Sequence, residues 1–157
     1  MHNAVESVMS LPASDPAKQA LLETILEAAA DKLGDITPAT LALYYSRYPQ
    51  ARQLFVEHGC GYTRRLELEM VDSALYCLMI WFERPLEVEI IYADAVPHHE
   101  LLNIPAAFFA GLQAALVDVI AGTVAETDSN ARAFLAQLKN QLTALIESYS
   151  TRASGPL

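Results

Sequence analysis

The sequence predicts an all-α fold of six to seven helices in one domain. Apolar side chains recur every three or four residues in several segments, which is the spacing of one helix face. Two segments begin with a capping residue followed by proline, Asp15-Pro16 and Thr37-Pro38. At 157 residues and 53% hydrophobic content, the chain suits a single core.

Four helices are predicted in the first half of the chain, each with a start or stop signal. Gly34 ends the first, Pro49 separates the second from a short third, and Gly59-Cys60-Gly61 ends the third. A wide apolar stripe marks the fourth. Their predicted extents are Pro16 to Leu33, Thr37 to Tyr48, Gln50 to His58, and Thr63 to Phe82 or Glu83.

The second half predicts one ambiguous segment and two clear helices. Leu86 to Tyr92 alternates at first as a strand would, but a lone strand has no partner, so a short or irregular helix is predicted. Pro105 opens a helix that ends at Gly122, and Asp128-Ser129-Asn130 caps a last helix that ends near Tyr149. Residues 1–15 are predicted to form an extension, in which the first six to nine residues could add a short helix. Residues 16–150 are predicted to form the domain and 151–157 a flexible tail.

Charge, cysteine content and apolar run length narrow the class of protein. Ten Lys and Arg against 19 Asp and Glu give a net charge of -9, which disfavours nucleic acid and anionic membranes as partners. Cys60 and Cys77 are too few for a disulfide framework or a four-thiolate zinc site. The N-terminus lacks a basic region followed by an apolar run, and the longest apolar run is too short to span a membrane. A cytoplasmic location is expected.

Familiar catalytic motifs are missing from the sequence. It has no glycine-rich phosphate loop, no Gly-x-Ser-x-Gly elbow and no His-Glu-x-x-His helix. The acidic pairs Glu67/Glu69 and Glu87/Glu89 read as solvated charge, because a spacing of two places them on divergent helix faces. The Tyr44, Tyr45 and Tyr48 stripe is typical of a core. No catalytic residue is predicted.

The histidine pair His98-His99 lies between Pro97 and Pro105, at the junction of two long apolar segments. A histidine at a helix end can point inward, with one ring nitrogen ligating a metal and the other held by a hydrogen bond. Taken alone, the pair has the plainer reading of a solvated corner. Pro97 predicts a kinked or unwound backbone in this region.

Two stretches together resemble the globin superfamily, in particular bacterial sensor-type and single-domain globins. Leu41 to Phe55 is similar to the second and third globin helices, where a proline begins the third helix and a phenylalanine six residues later packs on the haem; Pro49 and Phe55 have that spacing. His99 to Pro105, followed by Phe108-Phe109, is similar to the proximal-histidine region. The resemblance covers roughly Pro16 to Tyr149.

The resemblance implies a globin-like fold around a pocket for haem b, with His99 as the axial iron ligand and His98 as the alternative after a one-residue shift. Phe55 would stack on the porphyrin, and Ile104, Phe108 and Phe109 would close the proximal wall. Met70 would lie near the distal position, between Leu66 and Ala74, with Leu41 overhanging it. Tyr44, His58 or Tyr62 could supply a distal hydrogen-bond donor, and Arg64 and Arg65 could pair with the haem propionates or lie in solvent.

Three functional hypotheses follow from the resemblance. The first is a haem protein that binds a diatomic gas, O2, CO or NO, as a sensor or carrier, with a homodimer expected. The second is a haem-free globin-like interaction module that dimerises through its last two helices. The third is haem redox activity, such as peroxidase or nitric oxide dioxygenase chemistry, which would need an electron donor in trans.

Overall fold

A computed structural model of the chain gives the structure of residues 13–152, and within this range every regular element is an α-helix. The all-α prediction is confirmed. The possible short helix in the first nine residues lies outside the described range. The helices are α1 (Pro16–Leu33), α2 (Thr37–Arg47), α3 (Pro49–Gly59), α4 (Thr63–Ile80), α5 (Pro85–Leu101), α6 (Ala106–Ala121) and α7 (Ser129–Ser148).

The predicted capping residues at the first and last helices act as expected. Asp15 accepts a hydrogen bond from the Lys18 backbone N–H at 3.1 Å, and Asp128 accepts one from Ala131 at 3.1 Å. Each bond satisfies a donor that the first helical turn leaves free. The second helix begins at Thr37, one residue before Pro38, and the Asp35 carboxylate accepts the Thr37 N–H at 3.0 Å.

The segment Leu86 to Tyr92, which was ambiguous in the sequence, belongs to α5. This helix continues through Pro97, so the unwound backbone predicted there is not found. Proline removes one helical N–H, which leaves the Ala93 carbonyl without its partner four residues on. Ala93 is exposed, so water can satisfy that carbonyl.

A Schellman-type turn ends α5. Asn103 has a φ of 62°, in the left-handed region where asparagine is tolerated better than most residues. The Ile104 N–H donates to the His99 carbonyl at 2.9 Å, and the Asn103 N–H donates to the Glu100 carbonyl at 3.0 Å. These two bonds are the pair that defines this turn. They fix the backbone around the histidine that the sequence singled out.

Two helices, α4 and α6, lie at the centre of the packing. Both contact α1, α2 and α5, and α6 also packs along α7. The larger cluster of buried apolar side chains joins α1, α4, α5, α6 and α7, whereas a smaller one joins α2, α3 and α6 around Tyr44, Tyr45, Ala51 and Ala115. None of the helices in residues 13–152 combines the length and apolar character needed to cross a bilayer.

The crossing of α2 and α6 depends on Gly111. A Cβ atom at this position would lie 2.8 Å from Tyr48 Cζ, closer than side chains approach one another. Tyr48 has little room to retreat, because its ring packs 5.2 Å from the ring of Phe108, centroid to centroid.

We therefore expect Gly111→Ala to lower the free energy of unfolding by about 1–3 kcal/mol, since overpacking forces side chains or backbone to shift. Urea unfolding measures this change. The matched control is Gly122→Ala, where the added Cβ would lie 3.3 Å from the nearest atom, the Val119 carbonyl oxygen. If steric crowding by Tyr48 is the cause, Gly111→Ala will lower the free energy of unfolding by less in a Tyr48→Leu background than in the wild type. An equal loss in both backgrounds would contradict crowding by Tyr48.

Candidate functional site

A cavity of about 450 Å³ lies between the two apolar clusters. Helices α2 to α6 and the turn after α5 line it, and its wall is mainly apolar. The exposed side chains of His58 and His98 contribute to the wall, so the cavity meets solvent on their side. Its volume falls within the range of about 300–1,000 Å³ that is typical of small-molecule sites.

His99 lies in the wall of this cavity, near the end of α5. Its Nδ1 is 2.7 Å from the Ala95 carbonyl oxygen. A carbonyl can only accept, so Nδ1 carries the proton and the neutral ring has its lone pair on Nε2. The ring of Phe109 meets the imidazole edge to face, with 4.9 Å between centroids. These contacts fix both the tautomer and the orientation of the ring.

The surroundings of His99 favour its neutral form. Burial lowers the pKa of the imidazole below its ordinary value of 6.5, and the nearby charges of His98 and His58 lower it further. The hydrogen bond to Ala95 opposes this shift but does not cancel it. His99 is therefore a neutral imidazole at pH 7, which is the form that ligates a metal.

A polar pair lies at the inner part of the cavity. Tyr92 on α5 donates its hydroxyl hydrogen to Gln113 on α6 at 3.0 Å, and the Gln113 amide donates to the Ala74 carbonyl on α4 at 3.2 Å. Both side chains are almost fully buried and line the cavity. Sequence reasoning missed this pair, although a lone glutamine inside the apolar α6 segment was a usable signal.

Most of the predicted site residues meet at the cavity. Its wall includes His99, Tyr44, Phe55, Leu66, Met70, Ala74, Ile104, Phe108 and Phe109. Leu41 instead packs against the smaller apolar cluster and is not part of the wall. Arg64 and Arg65 are exposed and also lie outside the wall, and Arg65 pairs with Glu69 at 3.1 Å. The solvated reading of the two arginines fits this placement.

The three candidate distal donors differ in position. Tyr44 lines the cavity, but its hydroxyl donates to the Phe108 carbonyl at 3.0 Å and is already engaged. Tyr62 is 70% exposed and lies outside the cavity wall. His58 lines the cavity from an exposed position at the end of α3. The wall around Met70 is formed mainly by apolar side chains.

Other metal chemistry has little support in the described residues. No group of three or more His, Cys, Asp or Glu side chains within residues 13–152 is arranged to hold a metal ion. A haem iron differs from such a site, because the porphyrin supplies four ligands and the protein needs to supply only one. Cys77 also lines the cavity, but burial raises the pKa of its thiol to about 11. The protonated thiol is a poor ligand, which leaves the imidazoles of the wall. Of these, His99 is less exposed than His58 and His98.

Comparisons of the chain with protein-family models, with curated proteins and with solved structures gave no match. Function is therefore inferred from the cavity and its residues.

The lowered pKa of His99 predicts an acid-sensitive component of stability. Below pH 6.5 the unfolded chain takes up a proton on this ring that the folded chain does not bind, so the free energy of unfolding falls as the pH drops through this window. His99→Gln removes the effect, and the wild-type protein should lose more stability than this variant between about pH 7.5 and pH 5.

Urea unfolding across this pH range tests the prediction. His98→Gln controls for the loss of a neighbouring exposed histidine. Identical pH profiles for wild type and His99→Gln would show that the buried ring does not titrate as described.

Proposed function

We propose that the cavity binds haem b, with His99 as the protein ligand to iron, and that the protein binds a diatomic gas as a sensor or carrier. The observation that carries the proposal is the state of His99: a neutral imidazole with Nδ1 bonded to the Ala95 carbonyl, in the wall of a largely apolar cavity of about 450 Å³. A single fixed nitrogen ligand in an apolar cavity is the protein's share of a haem site. The globin-like arrangement is part of the same proposal.

The side chains around His99 fit a flat aromatic cofactor. Phe55 comes from α3, and Phe108 and Phe109 come from the start of α6, so aromatic rings from two helices line the cavity. When bound, haem b would supply an iron that takes up a diatomic gas. The chain would hold the cofactor by apolar contact and limit the access of water to it.

The acidic groups of a haem need partners other than the two arginines first considered. Arg64 and Arg65 do not reach the cavity wall, whereas His58 and His98 lie where it meets solvent. Imidazoles at that edge are suited to hydrogen bonding with carboxylates.

The apolar wall around Met70 bears on the choice of gas. Bound dioxygen carries partial negative charge and is stabilised by a nearby hydrogen-bond donor, which contributes about 1 kcal/mol or more. Tyr44 is engaged with Phe108, and Leu66, Met70 and Ala74 offer no side-chain donor. Ser73 and His58 also line the cavity and are the side chains on this side that could donate. Carbon monoxide is less polar and loses less where a donor is missing, so the position of Ser73 and His58 relative to the bound gas would set the preference between the two.

Reconstitution of the purified protein with haem tests the proposal. We expect a Soret band and, after reduction, a shifted band on addition of carbon monoxide. His99→Ala should abolish or alter these spectra because it removes the iron ligand, whereas His98→Ala should keep the wild-type band positions because the ligand remains. A wild-type protein without a Soret band, or an unchanged spectrum in His99→Ala, would refute haem ligation by His99.

The haem-free interaction module is a second proposal with weaker support. Its motivation was the apolar stripes of the last two helices, but these stripes pack inside the chain, because α6 and α7 contact each other and the larger core cluster. None of the large exposed apolar side chains in the described residues belongs to α6 or α7. Dimerisation through these helices stays a prediction that sedimentation analysis can test, and haem redox activity stays a prediction as well.

A further inference from the structure

Glu100 is a buried carboxylate that the proposed function does not use. It lies directly after His99 in the last turn of α5 and is only 3% exposed. Successive residues of a helix point about 100° apart, so Glu100 and His99 face different sides of α5. His99 lines the cavity, whereas Glu100 meets the segment that follows α7.

The residues after α7 supply the hydrogen bonds of the Glu100 carboxylate. One oxygen accepts from the Thr151 backbone N–H at 2.8 Å and from the Thr151 hydroxyl at 3.0 Å. The other accepts from the Ser150 hydroxyl at 2.7 Å. The Arg152 guanidinium donates to the Glu100 backbone carbonyl. We name this set of contacts between Ser150, Thr151, Arg152 and Glu100 the C-terminal clamp.

The clamp has a defined energetic role. A buried carboxylate is costly unless hydrogen bonds replace its lost hydration. Ser150 and Thr151 provide those bonds although they lie 50 and 51 residues after Glu100 in the sequence. Thr151 and Arg152 lie within the stretch that the sequence assigned to a flexible tail, yet both contact Glu100.

The backbone connects the clamp to His99. The carbonyl of His99 accepts the N–H groups of Leu102 and Ile104, each at 2.9 Å, and the carbonyl of Glu100 accepts from both Asn103 and Arg152. The end of α5 is therefore one hydrogen-bonded unit. A displacement of the His99 backbone must move Glu100 and strain or release its bonds to the clamp.

We propose that the C-terminal clamp positions His99 and couples occupancy of the cavity to the segment Ser150 to Arg152. This inference rests on the proposed haem site, with His99 as ligand and Glu100 as a positioning residue. Coupling between two sites is reciprocal: if haem changes the stability of the clamp, the clamp changes haem affinity by the same factor. Binding in the cavity would thereby change the stability of the hydrogen bonds that hold Ser150 to Arg152 against Glu100.

The first test uses the unaltered protein. Amide hydrogen exchange at Thr151, measured by NMR, reports opening of the clamp because this N–H donates to Glu100. We expect its exchange rate to change by about fivefold or more when haem is loaded, the lower end of typical coupling between sites. Equal exchange rates with and without haem would overturn the coupling.

The second test uses variants and the rate of haem release. Arg152→Ala removes one contact made by an exposed residue, and the Glu100 carboxylate keeps its hydrogen bonds, so this variant should fold. Glu100→Gln removes the negative charge that Ser150 and Thr151 hydrogen bond. We expect faster haem release in both, by about fivefold or more in Glu100→Gln. The matched control is Glu147→Gln on the exposed face of α7, which should release haem at the wild-type rate. Release unchanged in both clamp variants would overturn the positioning role.

A third measurement separates this inference from the proposed function. In the haem-free protein, the imidazole nitrogen resonances of His99 report its bond to Ala95 directly. We expect Arg152→Ala, which loosens the clamp but leaves the Glu100 charge in place, to shift them and Glu147→Gln to leave them in place. If haem does not bind, the proposed function fails, but a shift of these resonances still supports positioning of His99 by the clamp. If no shift occurs, the positioning role is refuted whether or not haem binds.

Discussion

The hydrogen bond from His99 Nδ1 to the Ala95 carbonyl fixes which ring nitrogen of His99 is free to bind an occupant of the cavity. It selects one tautomer of the ring, so that the basic nitrogen is Nε2, and it holds the imidazole against the helix that carries it. Burial keeps the ring neutral, and Phe109 restricts its rotation. A histidine free to rotate and to protonate would make a weaker ligand, because each binding event would first have to order the ring and remove its proton.

The cavity is informative because a cleft of this volume with a mainly apolar wall and a few polar groups is typical of small-molecule sites. Here the interior divides into two apolar clusters with a space of about 450 Å³ between them. The Tyr92, Gln113 and Ala74 hydrogen bonds join α4, α5 and α6 across the inner part of that space. An occupant that binds only the folded chain would stabilise it by mass action. The space between the clusters is not filled by side chains, and this observation underlies the ligand-binding proposal.

The end of α5 connects this site to the rest of the chain. His99 and Glu100 are neighbours in sequence, but one faces the cavity and the other faces the segment after α7. The Schellman-type turn at Asn103 holds both carbonyls in hydrogen bonds. A short stretch of helix thereby joins a candidate ligand to a buried carboxylate. The helix continues through Pro97, although Pro97 has no N–H to donate to the Ala93 carbonyl. Ala93 is exposed, so water can bind that carbonyl instead.

The sequence by itself determined the helix class and most helix boundaries, and most of the residues that it assigned to the site lie in the cavity wall. Caps such as Asp15 and Asp128 are local, since their bonds reach only three residues along the chain. Phe55, His99 and Ile104 were assigned to the site through the resemblance of two short stretches to globin segments, and all three lie in the cavity wall. Tertiary structure alone decided that Leu41, Arg64 and Arg65 lie away from the cavity, that Gln113 pairs with Tyr92, and that Glu100 meets Thr151. These outcomes depend on how helices distant in sequence rotate and cross, and that geometry is set by packing of the whole core rather than by any local pattern.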